Sequence, residues 1–168
     1  MDSAILSFSK SSPVVDPTGS VTRNYEAFSD GMYILLEVQE ILSDDGHAED
    51  LDLIAFRSRI VELMKLNEDN LWTYVSFALD SALQSSEHGW LEPSMKRSVI
   101  QFLLDEYPGM LEIFDDEDRG YLDEMDEFMR ERGPLTEAIP ESMIPAWVPA
   151  SHWWWRHATW TSASSIGQ

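Results

Sequence analysis

The sequence predicts an all-α fold: a single compact bundle of about five helices, followed by an irregular C-terminal segment. Apolar residues recur at spacings of three and four through most of the chain, which is the pattern of helices with one buried face. No run of alternating β-branched residues and no repeat of fixed period competes with that pattern. With 168 residues, 43% hydrophobic and 11% aromatic, the chain suits one domain with a sizeable core.

The N-terminal part has a different composition from the rest. Residues 1–20 are rich in Ser, Pro and Thr, so we predict a flexible N-terminal arm there. A helical domain is predicted for residues 21–133. Its first helix begins at Asn24 and ends near residues 43–46, either as one helix or as two helices broken at Asp30-Gly31.

The middle of the chain carries signals for three further helices. The second begins after Asp50 and the third after Asn67, two residue types that favour the position before a helix, and Gly89 ends the third. Pro93 suits the first turn of the fourth, which Pro108-Gly109 closes. Each segment runs about 12 to 17 residues, an ordinary length for globular helices.

The fifth predicted helix is the most unusual stretch, DDEDRGYLDEMDEFMRER, at residues 115–132. Its apolar residues form one stripe at helical spacing, and almost every other position is charged. The stripe consists of Tyr121, Leu122, Met125, Phe128 and Met129. Gly133-Pro134 then stops the helix.

Residues 134–168 are predicted to form a Pro/Trp-rich extension packed on the helical domain. Four prolines between residues 134 and 149 forbid a long helix, and five of the seven tryptophans lie between Trp147 and Trp160. We interpret most of these rings as core. Because three successive residues cannot all point the same way on a regular element, at least one of Trp153–Trp155 should be partly exposed.

Charge and composition exclude several classes of function. The net charge of −20 repels nucleic acid and anionic membranes, and it attracts basic proteins. No cysteine is present, which fits a cytoplasmic location. The N-terminus does not resemble a secretory signal, and no run of 18 apolar residues predicts a membrane span.

Metal binding and catalysis find no support in the spacing of residues. A calcium loop that starts at Asp115 would place Gly120 correctly at its sixth position, but it would place Arg119 at the fifth, where a ligand oxygen is required. The four histidines stand singly, and neither a Gly-rich phosphate loop nor a GxSxG motif occurs. We therefore predict no metal, no cofactor and no catalytic residues, and a protein that is not an enzyme.

The carboxylates are unevenly distributed along the chain. Residues 105–131 carry twelve acids and two bases, a net charge of −10, which is half of the total. Like charges three or four residues apart destabilise a helix by about tenths of a kcal/mol per pair, so solubility alone does not favour such clustering. A purely solvated face stays open as the alternative. The predicted partner-binding residues are Asp115, Asp116, Glu117, Asp118, Asp123, Glu124, Glu127, Glu131, Trp153 and Trp154.

In size, acidity and the segments DDEDRGYLDEMDEF and WVPASHWWW, the chain resembles bacterial immunity proteins that neutralise nuclease toxins of contact-dependent growth inhibition or related systems. The resemblance implies a cytoplasmic protein that binds a basic cognate toxin and neutralises it in a tight one-to-one complex. The charge of the chain indicates one way to do so, since a row of carboxylates can occupy the positive groove of a nuclease and exclude its substrate. Two alternatives stay open: a phage-type DNA mimic that inhibits a restriction or guided nuclease, and a housekeeping helical domain whose acidity is incidental.

Overall fold

The computed structural model describes residues 1–45, 51–85, 89–135 and 137–156. These residues contain seven α-helices and one small sheet, so the all-α prediction is confirmed but the predicted number of helices was too low. The helices are α1 Asp2–Ser11, α2 Tyr25–Asp45, α3 Leu51–Leu66, α4 Glu68–Leu83, α5 Leu91–Glu106, α6 Met110–Ile113 and α7 Asp116–Arg132. Strands β1 Val14–Val15 and β2 Val21–Thr22 pair antiparallel. Short 3₁₀ turns follow at Gly133–Leu135, Glu141–Met143 and Trp153–Trp155.

The described residues form two compact units instead of the single predicted bundle. The first comprises Met1–Tyr74 and Val99–Asp115, and the second comprises Val75–Ser98 and the described part of Asp116–Gln168. Hydrophobic periodicity shows that a helix is buried, but it does not show which neighbours bury it. Several predicted features lie outside the described residues: the cap at Asp50, the residues His47, His88 and His157, and Trp160.

The predicted flexible arm was wrong over its first half, because Asp2–Ser11 is helical and packed. Ala4 and Phe8 are fully buried, and the Phe8 ring meets the Phe28 ring edge to face at 5.3 Å between centroids. Asn67 donates a hydrogen bond from Nδ2 to the Phe8 carbonyl oxygen at 3.2 Å. The buried residues of α1 fall on one helical face, a short signal that the Ser-rich composition concealed.

Helix α2 runs without interruption through Asp30-Gly31, so the single-helix alternative is the one observed. Asn24 caps it, because its Oδ1 accepts a hydrogen bond from the Ala27 amide at 3.0 Å. Gly31 permits close packing rather than a break: a Cβ there would lie 2.7 Å from Cε1 of Phe8.

The second unit contains α7, which buries the apolar residues Leu122, Met125 and Met129. Val148, Trp154 and Trp155 of the C-terminal segment are also buried. Among the described residues, none of the helices is both long and apolar enough to cross a bilayer.

The contact between Gly31 and Phe8 gives a test of the packing in the first unit. Gly31→Ala should lower the free energy of unfolding by about 1–3 kcal/mol, because a methyl group would overlap a fully buried ring. Gly120→Ala in α7 is the matched control, since a Cβ there meets nothing within 4 Å, and it should raise stability by about 0.5–1 kcal/mol through helix propensity. Urea denaturation measures both. Equal effects of the two substitutions would contradict the packing described.

Candidate functional site

Six carboxylates share the solvent side of α7 and form a surface that we call the acidic row. All six are exposed, whereas the apolar residues of the helix lie on the opposite side. The spacing explains the alignment, because residues three, four and seven apart on a helix share a face. The acidic row consists of Asp116, Glu117, Asp123, Glu124, Glu127 and Glu131.

The bases of α7 lie outside the arc that the acidic row occupies. At about 100° per residue, the positions between Asp123 and Glu117 around the helix are filled by the six acids and Gly120 alone. Arg119 and Arg130 flank one edge of this arc, and Arg130 reaches Asp126 at 3.9 Å. The row is therefore a strip of one sign of charge about 22 Å long, from the helical rise over fifteen residues.

The pKa of the Tyr121 hydroxyl is affected by the negative charges around it. The hydroxyl donates to Glu117 Oε1 at 3.3 Å. Loss of solvation and then the negative charges of Glu117, Glu124 and Asp118 raise the pKa of Tyr121 above its ordinary value. A phenolate here would add a further negative charge beside carboxylates, so the neutral phenol is favoured.

Two of the ten predicted partner-binding residues are not available to a partner, and we correct that part of the prediction. Asp118 is 5% exposed, because it lies on the same helical side as the buried Leu122, one turn away. Trp154 is 2% exposed. Asp115, just before α7, is exposed together with the acidic row, and Trp153 is partly exposed. Whether these exposed residues contact a partner stays a prediction.

The C-terminal tryptophans are held by a buried serine of α5. Ser98 is fully buried, and its Oγ accepts hydrogen bonds from Nε1 of Trp155 at 2.8 Å and from Nε1 of Trp154 at 3.0 Å. A hydroxyl has two acceptor positions and one proton, so the Ser98 proton goes to Nδ1 of His152, which lies 3.0 Å away. His152 is therefore neutral, with its own proton on Nε2.

Burial agrees with this assignment of the proton. His152 is 1% exposed, and burial, followed by the positive charge of Arg97, lowers its pKa to about 4. Its ring stacks on that of Trp154 at 4.5 Å between centroids. The geometry of Ser98 and His152 resembles that of a nucleophile and its base, but Ser98 is inaccessible and all its hydrogen-bonding capacity is used. Ser98 and His152 therefore help to hold the buried tryptophan rings in place.

A second network joins α5, α7 and the tryptophans through charges. Arg97 binds the Asp126 carboxylate with two nitrogens, Nε at 2.8 Å and Nη2 at 3.1 Å, and its guanidinium lies 4.5 Å from the Trp154 ring centroid. Arg130 lies 4.7 Å above Trp153. Trp153 was predicted to bind a partner, and here the guanidinium of an arginine of the same chain lies over its ring.

Sequence reasoning missed Arg97, Ser98, Asp126 and His152 as organising residues. The run of three tryptophans was the only signal, since their indole N–H groups need acceptors when buried. The acceptor lies more than fifty residues away in sequence, and no local spacing identifies it.

Among the described residues, no group of three histidine, aspartate or glutamate side chains is placed to hold a metal ion. The acids of α7 are spread along a helix instead of converging on one point.

No protein-family model, no curated protein and no solved structure matches this chain. The fold and the site therefore rest on the chain's own residues.

Ser98 is expected to be the most sensitive polar position of the second unit. Ser98→Ala leaves two indole donors and the His152 Nδ1 without their common partner, and it should lower the free energy of unfolding by about 2–4 kcal/mol. Ser58→Ala, at an exposed position in α3, should change it by less than about 0.5 kcal/mol. Calorimetry or urea denaturation compares them, and a small effect at Ser98 would exclude the shared-acceptor network.

His152 makes stability depend on pH in a stated direction. Its folded pKa of about 4 lies below the ordinary value of about 6.5, so the unfolded chain binds the proton first and stability falls as the pH decreases from 6.5 towards 4. Since one pKa unit corresponds to about 1.4 kcal/mol, this group should contribute a loss of about 1–2 kcal/mol between pH 7 and pH 5. Nitrogen-detected NMR should find the Nε2–H tautomer and a pKa near 4. A pKa of 6 or above would contradict the hydrogen-bond assignment.

Proposed function

We propose that this chain is an acidic binding protein that neutralises a basic nuclease toxin by covering the toxin's nucleic-acid-binding surface with the acidic row of α7. The observation that carries the proposal is the alignment of six exposed carboxylates along one helix, within an arc that holds no base. A nuclease must present a positive groove to the phosphate backbone, and a rod of carboxylates complements such a groove.

The charge density of the acidic row supports this choice of partner. Six charges in about 22 Å correspond to one charge every 4 Å or so, and each strand of duplex DNA carries about one charge per 3.4 Å of axis. A surface that has evolved to bind phosphates therefore meets a similar linear density of negative charge on α7. Such complementarity speeds association and stabilises close interfacial charge pairs.

The internal ion pairs support the outward role of the acidic row. Arg97 and Arg130 both contact Asp126, a half-buried acid on α7 that lies outside the row. Arg97 and Arg130 thus contact Asp126 and the tryptophan rings, and the arc that the acidic row occupies contains no base of its own.

The proposal predicts that a basic nuclease toxin is encoded beside the gene for this chain, and the experiment uses that toxin. The wild-type chain should inhibit that nuclease, with an affinity that falls as salt is added. The variant Asp116→Asn, Asp123→Asn, Glu124→Gln, Glu127→Gln keeps the shape of α7 but removes four charges of the acidic row. It should raise the dissociation constant at least about tenfold, because close interfacial charge pairs couple by about 1.5–7 kcal/mol.

A matched control removes the same net charge from exposed acids elsewhere: Glu37→Gln, Glu40→Gln, Asp80→Asn, Glu112→Gln. It should bind nearly as tightly as the wild type, because only long-range attraction is reduced. If the two variants weaken binding equally, net charge rather than the acidic row governs the interaction. If the α7 variant inhibits like the wild type, the proposal fails.

A further inference from the structure

A small cleft opens in the second unit, next to the start of α5. Its walls are Gly89, Trp90, Leu91, Glu137–Pro140 and Met143, and its volume is about 180 Å³. Most of this lining is apolar, and Met143 is 51% exposed. The cleft plays no part in the tryptophan network or in the acidic row.

The cleft lies beside the edge of α7 that carries the acidic row. Trp90, in its wall, packs against Phe128 of α7 with 6.2 Å between ring centroids. On the helix, Glu124 precedes Phe128 by four residues and Glu131 follows it by three, so both carboxylates neighbour this ring. The wall that Trp90 forms thus contacts α7 at a ring that neighbours two acids of the row.

The volume of the cleft limits its occupant. Small-molecule sites usually measure about 300–1,000 Å³, whereas a cavity of about 150 Å³ holds one benzene-sized group. At about 180 Å³ the cleft suits a single large side chain. Interfaces concentrate their binding energy in such pockets, each filled by an anchor residue of the partner.

The charge of the lining determines which side chain fits. Among the described lining residues, Glu137 is the one charged group, and it is exposed at the rim beside Ala138. Ile139, Pro140 and Met143 offer apolar contact to an alkyl stem. Arginine and lysine have this combination of an apolar stem and a cationic head.

We infer that the cleft receives one long basic side chain, arginine or lysine, from the protein that docks on the acidic row. The inference rests on the proposed function for the presence of a basic partner, and it adds a specific anchor to a surface that otherwise selects by charge alone. The stem packs against Ile139 and Met143, and the cation pairs with the Glu137 carboxylate. Nucleic acid, which lacks such a side chain, has no group for this cleft.

The test uses two peptide probes and needs no toxin. N-acetyl-Gly-Arg-Gly-amide is titrated into isotope-labelled protein at physiological ionic strength, alongside the same peptide with citrulline, which keeps the shape of arginine without its charge. We expect saturable NMR shifts at Gly89, Trp90 and Met143, and an affinity at least about tenfold weaker for the citrulline peptide. Equal affinities of the two peptides, or shifts confined to the acidic row, would overturn the inference.

Two variants separate the cleft from the general acidity of the chain. Ala138→Trp narrows the cleft from its exposed rim, and Glu137→Gln removes its charge without changing its shape. Both should abolish the saturable shifts, and Glu112→Gln, an exposed acid on α6, should preserve them. If the arginine peptide binds both cleft variants as it binds the wild type, the cleft is not its site.

The two proposals fail independently. Loss of toxin inhibition in the α7 amide variant, with inhibition intact in Ala138→Trp and Glu137→Gln, would overturn the anchor and leave the acidic row in place. Peptide binding in the cleft together with full inhibition by the α7 amide variant would overturn the acidic row and preserve the cleft as a basic-residue site.

Discussion

The paired contact of Arg97 with Asp126 organises the second unit, because it fixes which side of α7 faces inward. Both carboxylate oxygens of Asp126 are engaged, and the same guanidinium lies over Trp154. The contact through Asp126 therefore holds one side of α7 inward, and the six acids of the acidic row face outward. A pairing of this kind is planar and directional, so it orients a helix better than apolar contact alone does.

The tryptophan segment and the acidic row are two consequences of the same arrangement. Ser98, next to Arg97 on α5, accepts hydrogen bonds from the indole N–H groups of Trp154 and Trp155. These bonds hold the segment that follows α7 against α5. Repulsion among the carboxylates of α7 would destabilise that helix in isolation. The free energy gained by burying the tryptophan rings offsets this repulsion. Packing thus maintains a charge distribution that helix propensity and helix electrostatics disfavour.

Much of the fold was predictable, because apolar spacing is local information. The periodicity identified the long helices from α2 to α5 and also α7, and Asn24 was correctly placed at the start of α2. Helix α1 was not predicted, because its buried face consists of Ala4, Phe8 and Ser11 in a serine-rich stretch. The helix is stabilised by contacts with Phe28 and Asn67, which lie elsewhere in the sequence. Helix α6 has four residues, too few for a periodic signal.

The site was predictable only where it depends on helical geometry. The outward alignment of Glu117, Glu124 and Glu131 follows from spacing alone, and spacing also places Asp118 on the side of Leu122. The burial of Trp154, in contrast, depends on tertiary contacts. The roles of Arg97 and His152 required knowledge of partners distant in sequence, and a single sequence without local motifs carries no record of such pairs. The clustering of charge and the helical face of each acid are thus visible in the sequence, but the distant residues that pack against the inward face are not.

The arrangement of α7 should concentrate negative potential at the acidic row rather than distribute it over the chain. This potential can be measured without any partner by NMR, from the paramagnetic relaxation that cationic and anionic nitroxide cosolutes induce at each resolved proton. We predict that the most negative near-surface potentials lie at the exposed residues of α7, between Asp116 and Glu131. A potential at α7 no more negative than that at the exposed acids of α2 and α6 would contradict it.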